Sequence, residues 1–320
     1  MQAQTIIVGI ASKMIHLITK GGLGNQMFEY AYAIKMQQTY GDKRIYISGI
    51  YNLIAKDKRP IALQHFRLAE NACIISTGKA IFFLIHLFIQ IIHACGFSEF
   101  IRILRAKLTT EKSDEAKLRK HGTYCAAGIF SCPELEPCNS RIKHAYGNFQ
   151  GKNALSGIEH ILRRHFQVST TPTSANSSML NEIQNSNAVC VHIRRGDYLL
   201  SKYAQLQVCD EQYYATAIAQ AREILLDPVF FIFSTGHDDI EWVRQNYHLG
   251  DDVRYVDLDN PDYEELRLMY TCKHFIISNS TFSWWAAVLS QESPEKKVWC
   301  PSVWIKGSEV TLAQDSWILI

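Results

Sequence analysis

The 320 residues exceed what one small domain needs and suit two domains of about 150 residues each. With 47% hydrophobic and 20% charged residues, the chain can bury sizeable cores and is not disordered. A net charge of +2 and a pI near 8.0 argue against the strongly basic face of a nucleic-acid binder, so any anion recognition must be local. In chain order, residues 1–20 hold the apolar runs Ile6–Ile10 and Ile15–Ile18, interrupted by Lys13 and His16. No long apolar core followed by a small-residue cleavage site is present, so a secretory signal is not expected; Met1 and Met14 both stay open as the start. Met14–Thr19 reads as a strand that ends in Gly21-Gly22-Leu23-Gly24. From Asn25 to Gln38 the spacing is helical, and Arg44–Ile47 reads as the next strand. Strand, glycine turn, helix and strand together make a nucleotide-binding α/β unit.

The middle of the chain gives weaker signals. Ala80–Phe97 is an apolar helix of marginal length for a span, with His86, Gln90 and His93 inside it. It is expected either as a buried helix or inter-domain prop, or as a peripheral membrane contact. A charged helix over Arg102–Lys120, a loop from Cys125 to Cys138 and a Ser/Thr/Pro-rich linker or surface crossover over Ser169–Ser178 follow. Beyond them the alternation becomes regular. Strands are predicted at Ala188–Ile193, Val229–Ser234, Arg254–Val256, Phe275–Ser278 and Lys297–Cys300. Helices are predicted at Gln212–Leu226, Asp239–Tyr247, Tyr263–Cys272 and Phe282–Leu289. Such short alternation predicts a parallel sheet covered on both faces. The expected architecture is two α/β domains, 14–165 and 180–320, with a cleft between them. The nine cysteines are odd in number, scattered and without zinc spacing, so no structural metal and a reducing, cytoplasmic compartment are expected. Cys190 and Cys272 read as buried thiols.

Four strand ends carry residues suited to chemistry. His192-Ile193-Arg194-Arg195-Gly196-Asp197-Tyr198 follows a strand, where ligands of open α/β sheets bind. Two adjacent guanidiniums there match phosphate oxygens in pairs and keep their charge when partly desolvated. Arg194 is the better phosphate ligand, with Arg195 partly serving Asp197 in an ion pair. Gly22, Gly24 and Asn25 open a helix whose N-terminus suits an anion. Met27 and Ser48 stand where a dinucleotide fingerprint needs Gly and an acid, which argues against an oxidoreductase. Ser278–Ser283 presents more small hydroxyls than capping requires, so Ser280, Thr281 and Ser283 are candidate ligands for phosphate or ribose. Trp284 and Trp285 are read as core. Asp238 and Asp239 either take a base or ribose or cap the helix after them. Asp257-Leu258-Asp259 is read as a solvated turn rather than a metal site.

HIRRGDY at His192–Tyr198 and GGLGNQMFEYA at Gly21–Ala31 resemble the α-1,2-fucosyltransferases of glycosyltransferase family 11. Phe230–Glu241 and Leu268–Leu289, with SNSTFSWW, resemble two further blocks of that family, so the likeness runs from about residue 15 to residue 300. The resemblance implies a GT-B-like fold of two Rossmann-like domains facing a central cleft. It implies a GDP-β-L-fucose donor, a galactose-terminated glycan acceptor, inversion to an α-1,2 linkage, and no metal cofactor. It puts Arg194 on the β-phosphate, His192 near the guanosine, and Gly24 and Asn25 near phosphate or fucose. Ser280, Thr281 and Ser283 fall near the phosphates. Two positions depart from the family. Glu29 replaces a Gln, and Thr235-Gly236-His237 splits the family's Phe-Ser-Asp-Asp run, leaving the register of Asp238 and Asp239 open. Asp197 is a candidate general base but a better candidate for orienting an arginine. A transferase using another nucleotide sugar and an inactive glycan-binding homologue are the rival readings.

Overall fold

The computed structural model describes residues 13–53, 58–106, 108, 110–126, 128, 130–151 and 154–320; the run Ile6–Ile10 lies outside them. The chain divides into two compact units between His165 and Phe166.

The first unit is built on a five-stranded, all-parallel sheet in the order β3-β2-β1-β5-β4. Its strands are β1 (Met14–Ile18), β2 (Arg44–Ser48), β3 (Ala72–Ile74), β4 (Thr123–Cys125) and β5 (Ile142–Tyr146). Helix α1 (Leu23–Tyr40) begins two residues earlier than its periodicity suggests, because Gly22 serves as N-cap and Leu23 and Gly24 are already helical. Gly41, in a left-handed conformation, closes it (φ +65°). Helix α2 (Thr77–Cys95) continues into α3 (Phe97–Arg105), and α4 (Lys112–Lys120) follows. The single charged helix expected over Arg102–Lys120 is therefore two. A capping box between Glu111 and Asp114 starts a new helix, with Glu111 N donating to Asp114 at 3.3 Å. Arg102 ties the pieces together through Glu99 (2.6 Å) and Asp114. Helix α5 (Glu159–His165) ends the unit.

Every residue of β1 and β5 is buried, yet both strands carry ionisable side chains. Lys143 reaches Asp42 at 3.0 Å, with both side chains fully buried, and lies 4.7 Å from the Tyr40 ring centre. His16 and His144 are joined by a 3.1 Å hydrogen bond; His16 also bonds Ser48 Oγ (2.8 Å), and His144 bonds His86 on α2 (3.0 Å). Burial holds His16 near a pKa of about 3, with the charge of His86 adding to the effect. Burial also lowers His144 and His86. The neutral imidazoles thus weld β1, β5 and α2 together.

The second unit carries a six-stranded parallel sheet in the order β11-β10-β9-β6-β7-β8. Its strands are β6 (Asn187–His192), β7 (Pro228–Phe233), β8 (Val253–Tyr255), β9 (His274–Ile276), β10 (Val298–Cys300) and β11 (Ile318–Leu319). Helices α6 (Ser174–Gln184), α7 (Glu211–Ile224), α8 (His237–Asn246), α9 (Asp262–Thr271) and α10 (Thr281–Leu289) pack around it. Of the Ser169–Ser178 stretch, expected as a linker or surface crossover, residues 169–173 are irregular and residues 174–178 already belong to α6. Thr173 caps α6 by accepting from Asn176 N (3.2 Å), and Thr170 Oγ1 donates to Glu264 (2.8 Å). Trp284 and Trp285 are fully buried at a T-shaped contact, and Phe166 meets Trp285 edge-on. All nine cysteines are free, Cys190 and Cys272 being buried.

Candidate functional site

Each sheet has one place where neighbouring strands are not consecutive in the chain, and in the second sheet the chain leaves those two strands in opposite directions. In doubly wound folds this reversal opens a crevice beyond the carboxyl ends of the strands. In the second unit it lies between β6 and β9. His192–Tyr198 emerges there from β6, and Ser278–Ser283 from β9. His192 Nδ1 spans the reversal to Ser278 Oγ at 3.0 Å. The ring is buried, and desolvation, aided by the Arg194 charge, takes its pKa to about 3, so it is neutral. Ser283 is fully buried, with its hydroxyl 3.3–3.4 Å from the Ser278 and Ser280 carbonyls. Asn279 donates to Leu206 O and Trp304 O (2.8 Å each), so its amide braces the loop. Ser280 caps α10 by accepting from Phe282 N at 3.3 Å. Of the hydroxyl run, Thr281 in the first turn of α10 is partly exposed.

The arginines divide the work differently from the sequence-based expectation. Asp197 is taken by Arg194, not Arg195: Arg194 Nη2 donates to Asp197 Oδ1 at 2.6 Å. Gly196 makes this possible. Its left-handed backbone (φ +46°) folds the chain into the short 3₁₀ turn Gly196–Leu199 and brings Asp197 back beneath Arg194. A Cβ at Gly196 would stand 3.0 Å from Thr235 Cγ2. Arg194 Nη1 has only a 3.4 Å contact with Thr235 Oγ1, and its buried Nε has no hydrogen-bond partner among the described residues. A buried guanidinium N–H left so is costly unless a ligand supplies an acceptor.

Arg195 is clamped on the other side. Its Nε donates to Asp239 Oδ1 at 3.2 Å, and its guanidinium carbon lies 3.3 Å from the Trp242 ring centre. Asp239 Oδ2 accepts from Gly196 N (2.8 Å). Asp239 therefore holds the arginine turn, which fixes its register, while Asp238 is exposed in the first turn of α8. Trp242 escaped the sequence reading, although it stands one helical turn after Asp239.

Beyond β7 and β8 lies a small pocket of about 40 Å³, lined among others by Ser234, Gly236, Asp257 and Glu265. Burial, with repulsion from Asp262, raises the Glu265 carboxyl to about 8, and the Arg194 charge partly opposes the rise. Asp257 Oδ2 is bonded to His237 Nδ1 at 2.6 Å. With Glu241 these two form a group whose ligand atoms lie within 4.8 Å of one another.

In the first unit the non-consecutive neighbours are β1 and β5. The Gly21–Asn25 turn leaves β1, and the segment Gly147–Gln150 leaves β5. Gln150 Nε2 donates across this junction to Asn25 Oδ1 at 3.0 Å. Gly147 cannot be replaced there: its φ is +148°, and a Cβ would meet Ala126 Cβ at 2.6 Å. Gln26 holds the turn by donating to Gly21 O (3.0 Å) and Pro60 O (2.8 Å). Gly22 is exposed and Gly24 buried. Glu29, the departure from the family pattern, is fully buried and accepts from Lys20 N at 3.1 Å. Burial raises its pKa well above the carboxylate range, against the pull of Lys20. A protonated carboxyl has the shape and donor–acceptor pattern of the Gln it replaces. Lys20 lies 4.9 Å from the Tyr146 ring centre, and burial lowers its pKa.

The family model of glycosyl transferase family 11 matches residues 135–296. The O-antigen biosynthesis glycosyltransferase WbnK of Escherichia coli is 26% identical over 93% of this chain and 97% of its own length. An α-1,2-colitosyltransferase of E. coli is 30% identical over 62% of this chain and 74% of its own. The mouse galactoside α-(1,2)-fucosyltransferase 2 is 34% identical over 35% of this chain and 33% of its own. The fucosyltransferase NodZ from Bradyrhizobium superposes with a TM-score of 0.51 at 14% identity, over 87% of this chain and 94% of that one. Arabidopsis thaliana FUT1, in complex with GDP, gives a TM-score of 0.51 at 10% identity, over 93% of this chain and 74% of that one. These likenesses are of fold alone, a GT-B-like fold with two Rossmann-like units. With the family model spanning half the chain, including both arginines and the Ser278–Ser283 run, the protein belongs to glycosyl transferase family 11.

Proposed function

We propose that the protein transfers L-fucose from GDP-β-L-fucose, with inversion, to the 2-hydroxyl of a terminal galactose on a glycan. The observation that carries this reading is Arg194 at the strand-order reversal of the second unit, oriented by Asp197 yet with only a 3.4 Å contact at Nη1 and no hydrogen-bond partner for Nε among the described residues. A diphosphate oxygen is an acceptor that the exposed, weakly bonded Nη1 lacks. Glycosyl transfer leaves negative charge on the departing diphosphate, and a guanidinium already oriented by Asp197 stabilises that charge as it develops. Arg195, held by Asp239 and Trp242, adds a second positive charge without moving. Residues 180–320 would then bind the donor, and 14–165, with Gly22, Gly24 and Asn25, would face phosphate, fucose or acceptor. Thr281, the partly exposed member of the hydroxyl run, suits the phosphate end, while Ser280 and Ser283 hold the loop beneath it.

The ion pair with Arg194 supports Asp197 as an orienting group rather than the base, and the base is left unassigned. In this reading no metal is needed, because two guanidiniums do the work a divalent ion does elsewhere. The reducing cytoplasm is the proposed compartment. The names of the relatives support both an α-1,2 linkage and a 6-deoxy-type donor sugar, and the colitosyltransferase favours one rival, a donor other than GDP-fucose. A mass-spectrometric screen of nucleotide sugars against galactose-terminated oligosaccharides, with and without chelator, tests the proposal. Transfer from GDP-fucose that survives chelation is expected. Turnover of GDP-colitose alone would replace the donor, chelator-sensitive turnover would overturn the metal-free reading, and glycan binding without donor consumption would leave only a binding module.

A further inference from the structure

Helix α2 is apolar on both faces. Inward, Ala80, Phe83, Leu87 and Ile91 join the core of the first unit. Its polar inward groups are tied to the sheet: Gln90 donates to Ser140 Oγ and Ile142 O at 3.1 Å each, and His86 bonds His144 at 3.0 Å. A helix pinned this way along its length cannot leave to cross a bilayer.

Outward, Ile81, Phe82, Ile85, Ile89 and Ile92 form a row at helical spacing, exposed by 46, 51, 55, 58 and 37%. The row is roughly 16 Å long. Phe97 and Leu104 of α3 are exposed beyond it. Single exposed apolar residues need no explanation, but a continuous row marks a covered surface.

Charge decides what covers it. No carboxylate occurs from Asn71 to Ser98, and residues 71–120 carry eight Lys or Arg against four Asp or Glu. This segment is therefore +4, while the rest of the chain, with 25 against 27, is −2. Lys79, Arg105, Lys112 and Lys117 are all exposed. A second copy docked on the row would oppose like charge with like charge, whereas anionic headgroups complement it. We propose that α2 and α3 lay their outward apolar row into the surface of an anionic phospholipid bilayer, with α2 in the membrane plane. The inference is independent of which sugar the enzyme transfers.

Vesicle flotation of the full chain tests it, with phosphatidylcholine alone and with one part in three replaced by phosphatidylglycerol. Binding to the anionic vesicles at least ~10-fold tighter than to the neutral ones, weakened by salt, is expected. Ile85→Glu with Ile89→Glu should lower it by a further ~10-fold or more, leaving the melting temperature and the transfer to a soluble acceptor unchanged. Should that variant misfold, Ile85→Ser with Ile89→Ser takes its place. Equal binding to both vesicle types, no binding to either, or a folded variant that floats like the wild type would overturn the proposal. So would a concentration-dependent dimer that the variant abolishes.

Discussion

Replacing Arg194 by Ala removes three things at once: the unpartnered Nε, the 3.4 Å contact to Thr235, and the 2.6 Å pairing with Asp197. Neither protein contact supports the fold strongly, since Arg194 and Asp197 are both partly exposed beyond the carboxyl end of β6. The loss should therefore appear in the reaction rather than in stability. A preorganised donor to a developing oxyanion contributes about 3–4 kcal/mol, so kcat should fall roughly 100- to 1000-fold. The variant also leaves Asp197 with no counter-charge beside a diphosphate, which adds repulsion. Asp197→Asn in the Arg194→Ala background should then recover part of the loss, on the order of tenfold. Arg194→Lys keeps the charge but not the fork, and should fall between Ala and the wild type. The assay is GDP release with acceptor present, alongside circular dichroism to confirm folding. A folded Arg194→Ala enzyme within about threefold of wild-type kcat would refute the charge-stabilisation mechanism.

Asp239→Ala should raise the donor KM by ~10–100-fold, because Arg195 and the Gly196 N–H lose their common anchor. Donor titration checks this, and an unchanged KM would show that the turn holds itself. The linked histidines His16, His86 and His144 have folded pKa values below the usual 6.5, so their stabilising effect is complete above pH 6.5. It is lost as pH falls from there towards about 3, and melting temperatures should drop across that window, less so in a His86→Asn variant. A melting temperature flat from pH 7 to 4 would contradict the neutral histidine chain. Glu29 has the opposite sign: its raised pKa favours folding at low pH and penalises it as pH rises. Glu29→Gln should therefore stabilise the protein at pH 8 by about 1 kcal/mol, or roughly 3 °C, with transfer activity retained; a destabilised variant would show that the carboxylate form is used.

The strands that build the second unit were legible because they are short apolar runs bounded by polar turns, and the arginine turn was legible because no fold needs two guanidiniums there. The first unit hid its central partner strand. Ile142–Tyr146 reads as polar, with Lys143 and His144 in the middle, and partners distant in sequence, among them Asp42, His16 and His86, make those side chains tolerable inside. A local reading cannot see partners 101 and 128 residues away. The helical half of the Ser169–Ser178 stretch was missed for a related reason: the residues that compose a linker are those that cap a helix, and Thr173 does the second. Which arginine takes Asp197 depended on Gly196 adopting a left-handed conformation, a choice of backbone that composition does not display. Asp239, two residues into α8, could be read equally as cap or ligand until its two oxygens were seen to hold Arg195 and Gly196.

The two sheets solve one mechanical problem in the same way. The ladder joins β1 to β5 and β6 to β9 only as far as the strand ends, and the segments beyond them must be held by side chains. Side-chain bonds span each junction, Gln150 to Asn25 in the first unit and His192 to Ser278, with Tyr198 to Asn279 O, in the second. The His192 clasp sits beside two arginines, so it has to be neutral. A protonated imidazole there would repel Arg194 and would itself compete for the anion. Burial enforces neutrality by taking the His192 pKa to about 3. Asp239 is occupied on both oxygens by Arg195 and the Gly196 N–H, so its charge is consumed in bracing the turn. Arg195 is braced through its Nε, whereas Arg194 keeps a weakly bonded Nη1 and a buried Nε with no hydrogen-bond partner among the described residues, which is why the proposed donor diphosphate is assigned to Arg194.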